Sequence, residues 1–218
     1  KKAWTNVLHF VVFFTVRSPC FTIAHSIQNF PMTNTFHSTT AEKGDLNQYW
    51  YSEKTCEVLC DAVKEIVSLK GGESARVAFL STPSLFFSLG EEVRKLCILF
   101  DFDNSLGSCS SQFEFYDYNN PTNIDKKLHH TFDVIVIDPP FISPSVWEGY
   151  SATAALLGVN ENAHIICTTV EQNAGLMERL FNCKATQFQP SIPKLVYQYN
   201  TYANFPSAAL SIINPELE

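Results

Sequence analysis

Residues 132–138 read Phe-Asp-Val-Ile-Val-Ile-Asp, and two prolines follow at once, Pro139 and Pro140. An unbroken Val/Ile run, rather than an alternation with polar residues, predicts a strand buried on both faces. Both faces then need helices, which points to a helix–sheet–helix layering. The prolines hold φ at about −65° and remove two N–H donors, so the strand must end there in a stiff turn.

The rest of the chain repeats this grammar. Ser52 opens a helix whose apolar residues Val58, Leu59, Ala62, Val63, Ile66 and Val67 recur at helical spacing, and Gly71-Gly72 ends it. Short apolar runs at 77–80, 97–102, 113–118 and 163–170 read as strands, with helices expected within 84–96 and over 145–158 and 171–181. Two further strands, 183–189 and 195–203, close the chain. Strands interleaved with helices predict an α/β, doubly wound, mostly parallel sheet. Residues 32–47, polar and Thr-rich without periodicity, read as a flexible tail.

Charge and cysteine narrow the class. Residues 1–31 hold three of the 15 basic residues (Lys1, Lys2, Arg17) and none of the 22 acids, so residues 32–218 carry a net −10. An acidic body disfavours nucleic acid as partner, because phosphate binding needs clustered Lys and Arg, and it suits a basic protein. The seven cysteines (20, 56, 60, 97, 109, 167, 183) are odd in number with no Cys-x-x-Cys, which disfavours a disulfide framework or a zinc site; no metal is expected. Residues 7–16 are strongly apolar after Lys1-Lys2 and resemble a signal peptide, but are too short to span a bilayer, which takes about 20 residues. Met32 offers an alternative start. The reading is a signal-like segment 1–31 within an extension 1–45, outside the working protein, and a catalytic domain 46–218 with a cytoplasmic location and no stable membrane association.

In a doubly wound sheet, ligands bind beyond the carboxyl ends of the strands. There the sequence places Ser81-Thr82-Pro83-Ser84, Asp101-Phe102-Asp103, Asp117-Tyr118-Asn119-Asn120 and Asp138-Pro139-Pro140-Phe141. Carboxylates crowded at one edge repel unless a ligand or donors accept them. An acid after the second strand suits the two ribose hydroxyls of a nucleotide-like cofactor, and Asp117 could accept the exocyclic amine of an adenine. No Gly-x-Gly-x-x-Gly follows the first strand, against a nicotinamide dehydrogenase, and no Gly-Lys-Ser/Thr exists, against a P-loop kinase. Asp138-Pro139-Pro140 presents a carboxylate and carbonyl oxygens without competing donors, a surface that can hold an amine by its hydrogens and aim its lone pair. Phe141 adds an aromatic wall. The chemistry this suits is methyl transfer to nitrogen, with catalysis by positioning.

Asp138-Pro139-Pro140-Phe141 resembles motif IV of the class I S-adenosylmethionine-dependent amino-methyltransferases. Together with Gln48-Tyr49-Trp50-Tyr51-Ser52, Phe100-Asp101-Phe102-Asp103 and Phe115-Tyr116-Asp117-Tyr118-Asn119-Asn120-Pro121, it makes residues 46–203 similar to the eukaryotic family that methylates lysine on translation elongation factor 1-alpha, once classed as adenine-N6 DNA methyltransferases. The resemblance implies a Rossmann-like seven-stranded sheet, mostly parallel with a reversed C-terminal hairpin, and S-adenosyl-L-methionine as cofactor. It implies cofactor contacts at Ser81, Pro83, Asp101, Asp103 and Asp117, with Trp50 and Tyr51 at the cofactor or substrate mouth. It gives the catalytic positions as Asp138, Pro139, Pro140 and Phe141. Where the family carries Lys-Arg-Phe after the second strand, this chain has Asn104-Ser105-Leu106. The function expected is methylation of a protein lysine, with elongation factor 1-alpha as substrate. The alternatives are an adenine-N6 nucleic-acid or small-amine methyltransferase and a non-catalytic binding module. Oligomeric state is left open.

Overall fold

The structure is a computed structural model and describes residues 36–160 and 163–217. In chain order the helices are α1 (Phe36–Thr39), α2 (Glu53–Leu69), α3 (Pro83–Ser88), α4 (Glu91–Arg94), α5 (Pro144–Leu157) and α6 (Ala174–Phe181). The strands are β1 (Val77–Leu80), β2 (Cys97–Asp101), β3 (Phe113–Phe115), β4 (Val134–Ile137), β5 (His164–Thr169), β6 (Lys184–Ala185) and β7 (Asn200–Ala203). They form one sheet in the order β3-β2-β1-β4-β5-β7-β6. Strands β1 to β5 pair in parallel, and β7 runs antiparallel to both β5 and β6.

The period of two along each strand divides the core between the two faces. Val77 and Phe79 of β1 and Val134 and Val136 of β4 pack on one side with α2 and α3. Ala78, Leu80, Ile135 and Ile137 pack on the other with Trp147, Tyr150 and Leu157 of α5 and Met177 and Phe181 of α6. All four residues of β4 are buried, as the Val/Ile run demands. Helix α2 starts where Ser52 Oγ accepts from the Thr55 N–H at 3.1 Å, and it ends before Gly71, whose φ of +91° suits glycine. Its thiols Cys56 and Cys60 are buried, and burial pushes both up, Cys56 to about 12. They behave as small apolar groups.

Four local expectations change. The helix expected within 84–96 divides into α3 and α4, because Leu89 is extended and Gly90 takes an extended cap conformation. Strand β3 stops at Phe115, because Asp117 starts a side-chain turn onto the Asn119 N–H. The closing hairpin keeps only 184–185 and 200–203 as strand; Pro190 and Pro193 in the intervening segment have no N–H to give a ladder. Residues 36–47, expected as a flexible tail, are docked. Phe36 stacks on Phe87 with ring centroids 4.8 Å apart and lies 5.3 Å from Trp50, whose Nε1 donates to Thr40 O. Among the described residues, no helix is long and apolar enough to cross a membrane.

Phe132, at the entry to β4, is fully buried, meets Phe100 edge-on at 5.8 Å and carries the Arg76 guanidinium 4.7 Å above its ring. Phe132→Ala should therefore cost about 3–5 kcal/mol in urea unfolding.

Candidate active site

The carboxyl ends of β1, β2 and β4 open into one cleft of about 220 Å³. Beyond β1, Ser81 has a φ of +56°, a region costly for a residue with a Cβ. Two hydrogen bonds hold it there: its N–H donates to Phe100 O at 2.9 Å, and its Oγ lies 2.6 Å from Tyr150 Oη on α5. This bend sends the chain into α3 with Thr82 and Pro83 on the cleft wall. Thr82 Oγ1 is buried there without a hydrogen-bond partner.

At the end of β2, Asp101 is buried and accepts from the Asp103 N–H at 2.8 Å. Burial pushes its carboxyl up to about 6 against the pull of its backbone donors. Asp103 is not among the cleft-lining residues. Its carboxylate pairs with Lys43 Nζ at 2.7 Å and accepts from the Ser105 N–H and Oγ and from Gln48. It caps the turn 104–109, which is a structural use of that acid. After β3, Asp117 lies in the cleft, and its two oxygens take hydrogen bonds from Asn119 and Asn120. These donors hold its carboxyl below the usual carboxylate range.

At the end of β4, the Asp138 N–H donates to Leu80 O, and Thr168 Oγ1 of β5 donates to Asp138 Oδ1 at 3.0 Å. Burial pushes the Asp138 carboxyl up to about 7. Pro139 is buried, Pro140 O accepts from Asn47 Nδ2, and Phe141 stands half exposed with its ring 6.1 Å from that of Tyr118. One of the carbonyls expected to be free of donors is thus occupied by a residue of the N-terminal segment.

Of the residues picked from sequence, Trp50, Ser81, Pro83, Asp101, Asp117, Asp138, Pro139, Pro140 and Phe141 line this cleft. Asp103 and Tyr51 do not. Tyr51 is buried behind the wall, its hydroxyl 2.5 Å from Thr168 Oγ1. Sequence reasoning missed Tyr150 and Thr168, and also Asn47, Leu195 and Tyr199, which roof the cleft. Tyr150 carries only a helix-periodic signal, indistinguishable from core. Gly149 beside it lets α5 approach the 118–121 turn, since a Cβ there would meet Tyr118 O at 3.3 Å. The cleft-lining residues include Asp45, Asp101, Asp117 and Asp138 and neither Lys nor Arg.

The strand order, the reversed last pair and a cleft over the ends of β1, β2 and β4 define a Rossmann-like fold of the kind expected for a methyltransferase. Residues 42–207 match the family described as "Probable N6-adenine methyltransferase", and the chain belongs to that family. EEF1A lysine methyltransferase 1 of Danio rerio is 31% identical over 175 residues, spanning 76% of this chain and 100% of that protein. The Homo sapiens protein of the same name is 29% identical over 176 residues, 76% of each chain. A protein-lysine N-methyltransferase of Dictyostelium discoideum is 30% identical over 177 residues, 80% of this chain and 82% of its own.

The Asp138 carboxyl keeps its proton to about pH 7 in the folded protein, whereas an unfolded Asp loses it at about 3.9. Between these values the folded state holds a proton that the unfolded state lacks, so this group's contribution to stability falls as pH rises. Asp138→Asn removes the dependence. Its thermal midpoint should match the wild type near about pH 4 and exceed it above about pH 7, as read by calorimetry across that range.

Proposed function

We propose that this protein transfers a methyl group from S-adenosyl-L-methionine to a lysine side chain of a protein, and that the protein is translation elongation factor 1-alpha. The observation that carries the reading is the meeting, in one cleft, of the buried Asp101 at the end of β2 and the Asp138-Pro139-Pro140-Phe141 turn at the end of β4. The names of the Danio rerio and Homo sapiens relatives support the choice of substrate.

The residues fit such a cofactor. Thr82 Oγ1 is an orphaned polar atom on the wall, which a bound ligand's polar group would satisfy. Asp101 would accept from ribose hydroxyls, and Asp117, preset by Asn119 and Asn120, from the exocyclic amine of the base. When bound, the cofactor supplies a methyl group made electrophilic by its sulfonium. The chain's own task is to orient the acceptor. Asp138 and the Pro139 carbonyl take the amine's hydrogens, and Phe141 and Tyr118 flank the aliphatic stem. A free lysine, with a pKa of about 10.4, arrives charged. Enclosure by Trp50, Tyr118, Phe141 and Leu195 disfavours the charge, while Asp138 favours it. The aromatic walls therefore have to dominate at the moment of attack. The segment 43–51 and the loop 189–199 supply the roof that excludes water.

Purified protein with methyl-labelled cofactor should label recombinant elongation factor 1-alpha, in a product destroyed by protease and resistant to nuclease. Labelling of nucleic acid instead would overturn the reading in favour of adenine-N6 methylation. Asp138→Ala should abolish transfer while cofactor binding persists. Asp101→Asn should weaken cofactor binding about tenfold by calorimetry, the worth of one charge-assisted hydrogen bond.

A further inference from the structure

We propose that Tyr51 and Thr168 form a buried hydroxyl clamp that holds the Asp138 carboxylate in place and charged for the acceptor amine. The proposal rests on the methyltransferase reading for its catalytic consequence and on geometry for the clamp itself.

Three elements distant in sequence meet here. Thr168 sits one residue beyond Cys167, the β5 residue in register with Ile137 of β4, so its side chain reaches the first residue after β4. Its Oγ1 is 3.0 Å from Asp138 Oδ1 and 2.5 Å from Tyr51 Oη. Tyr51 is fixed in turn. Its carbonyl accepts from His37 at 2.7 Å, and the next residue, Ser52, donates its N–H to Ser191 O at 2.9 Å. Both hydroxyl-bearing residues are buried.

A threonine hydroxyl has one proton. While Asp138 is a carboxylate, Thr168 must give that proton to Oδ1, and Tyr51 must give its own to Thr168. The order Tyr51 to Thr168 to Asp138 satisfies every group, and the Tyr51 hydroxyl also acts on Asp138 directly, favouring its charged form. If Asp138 is protonated on Oδ1, Thr168 can no longer donate to that oxygen, and the carboxyl loses a hydrogen bond that its charged form accepts. The clamp thus favours the charged form. Its threonine engages Oδ1. Tyr51 and Thr168 are positioning residues; they act through Asp138 and do not line the cleft themselves.

The titratable groups facing Asp138 are Tyr51 before α2, Tyr150 of α5, Cys167 of β5 and Tyr199 before β7. Burial pushes each of them up, so all are neutral where Asp138 titrates. No Lys, Arg or His is among them. The response near neutrality therefore belongs to Asp138, and the remaining cleft acid of similar strength, Asp101, is silenced by saturating cofactor.

The test uses the full chain, saturating S-adenosyl-L-methionine and recombinant unmethylated elongation factor 1-alpha. With a free lysine as acceptor, log(kcat/KM) should climb with a slope of about two below the Asp138 break near about pH 7 and about one above it, since both amine and carboxyl must lose a proton. Tyr51→Phe and Thr168→Val should each move the break upward by about one pH unit, and Thr168→Ser should restore it. A merely structural role would lower the rate at every pH and leave the break in place; that result overturns the clamp. A substrate-free cycle guards against a wrong functional reading. The stabilisation at about pH 8 given by Asp138→Asn, measured by urea unfolding, should be larger in the Tyr51→Phe background than in the wild type, and equal values overturn the proposal. Wild-type protein that labels no protein lysine sinks the proposed function, while this cycle still decides the clamp.

Discussion

Strand β4 lies between β1 and β5, hydrogen-bonded to both, with Ile135 and Ile137 facing one helical layer and Val134 and Val136 the other. A strand so enclosed cannot slip by one residue, because the slip would exchange its two faces against two different packings. Its register fixes where Asp138 emerges. The two prolines then forbid the ladder from continuing and turn the chain outward at that point. The point at which Asp138 leaves the sheet is therefore set by apolar packing behind it, and the Thr168 hydroxyl then engages its carboxylate.

The same logic explains which parts were legible in the sequence. Strands β1, β2, β4 and β5 announce themselves because burial on both faces gives them short apolar runs, and the acids that close β2 and follow β4 stand out against that background. Asp103 shows the limit of that signal. An acid two residues past a strand reads as a ligand for the cofactor, and only the chain fold reveals Lys43, 60 positions away, already occupying it. The difference between Asp101 and Asp103 is which way each carboxylate points, and neither composition nor spacing encodes that.

The roof of the cleft was illegible for a different reason. Residues 36–47 have no periodicity and little apolar content, yet Phe36, stacked on Phe87 and beside Trp50, anchors their start. Asn47 then adopts a left-handed conformation and reaches Pro140 O. One aromatic and a few scattered polar contacts leave no periodic pattern to detect. The 186–199 segment hides likewise: the facing ends of the two expected strands, 183–189 and 195–203, lie outside the ladder, and Leu195 and Tyr199 line the cleft. Both segments are tied to each other by the Lys194–Glu42 ion pair.

The disposition of charge completes the argument. Lys43 and Lys194, on the two roofing segments, are both spent on acids, Asp103 and Glu42. The cleft beneath keeps Asp45, Asp101, Asp117 and Asp138 with no cation among its lining residues. Low-dielectric walls focus that negative potential toward the mouth. A phosphodiester would meet repulsion there with no Lys or Arg to release its counterions, whereas a lysine side chain or a sulfonium would be drawn in. The partial protonation of Asp101 and Asp138 near neutrality lets four carboxyls share the space while it is empty of cations. A positive charge placed among them would favour the ionised form of each carboxyl.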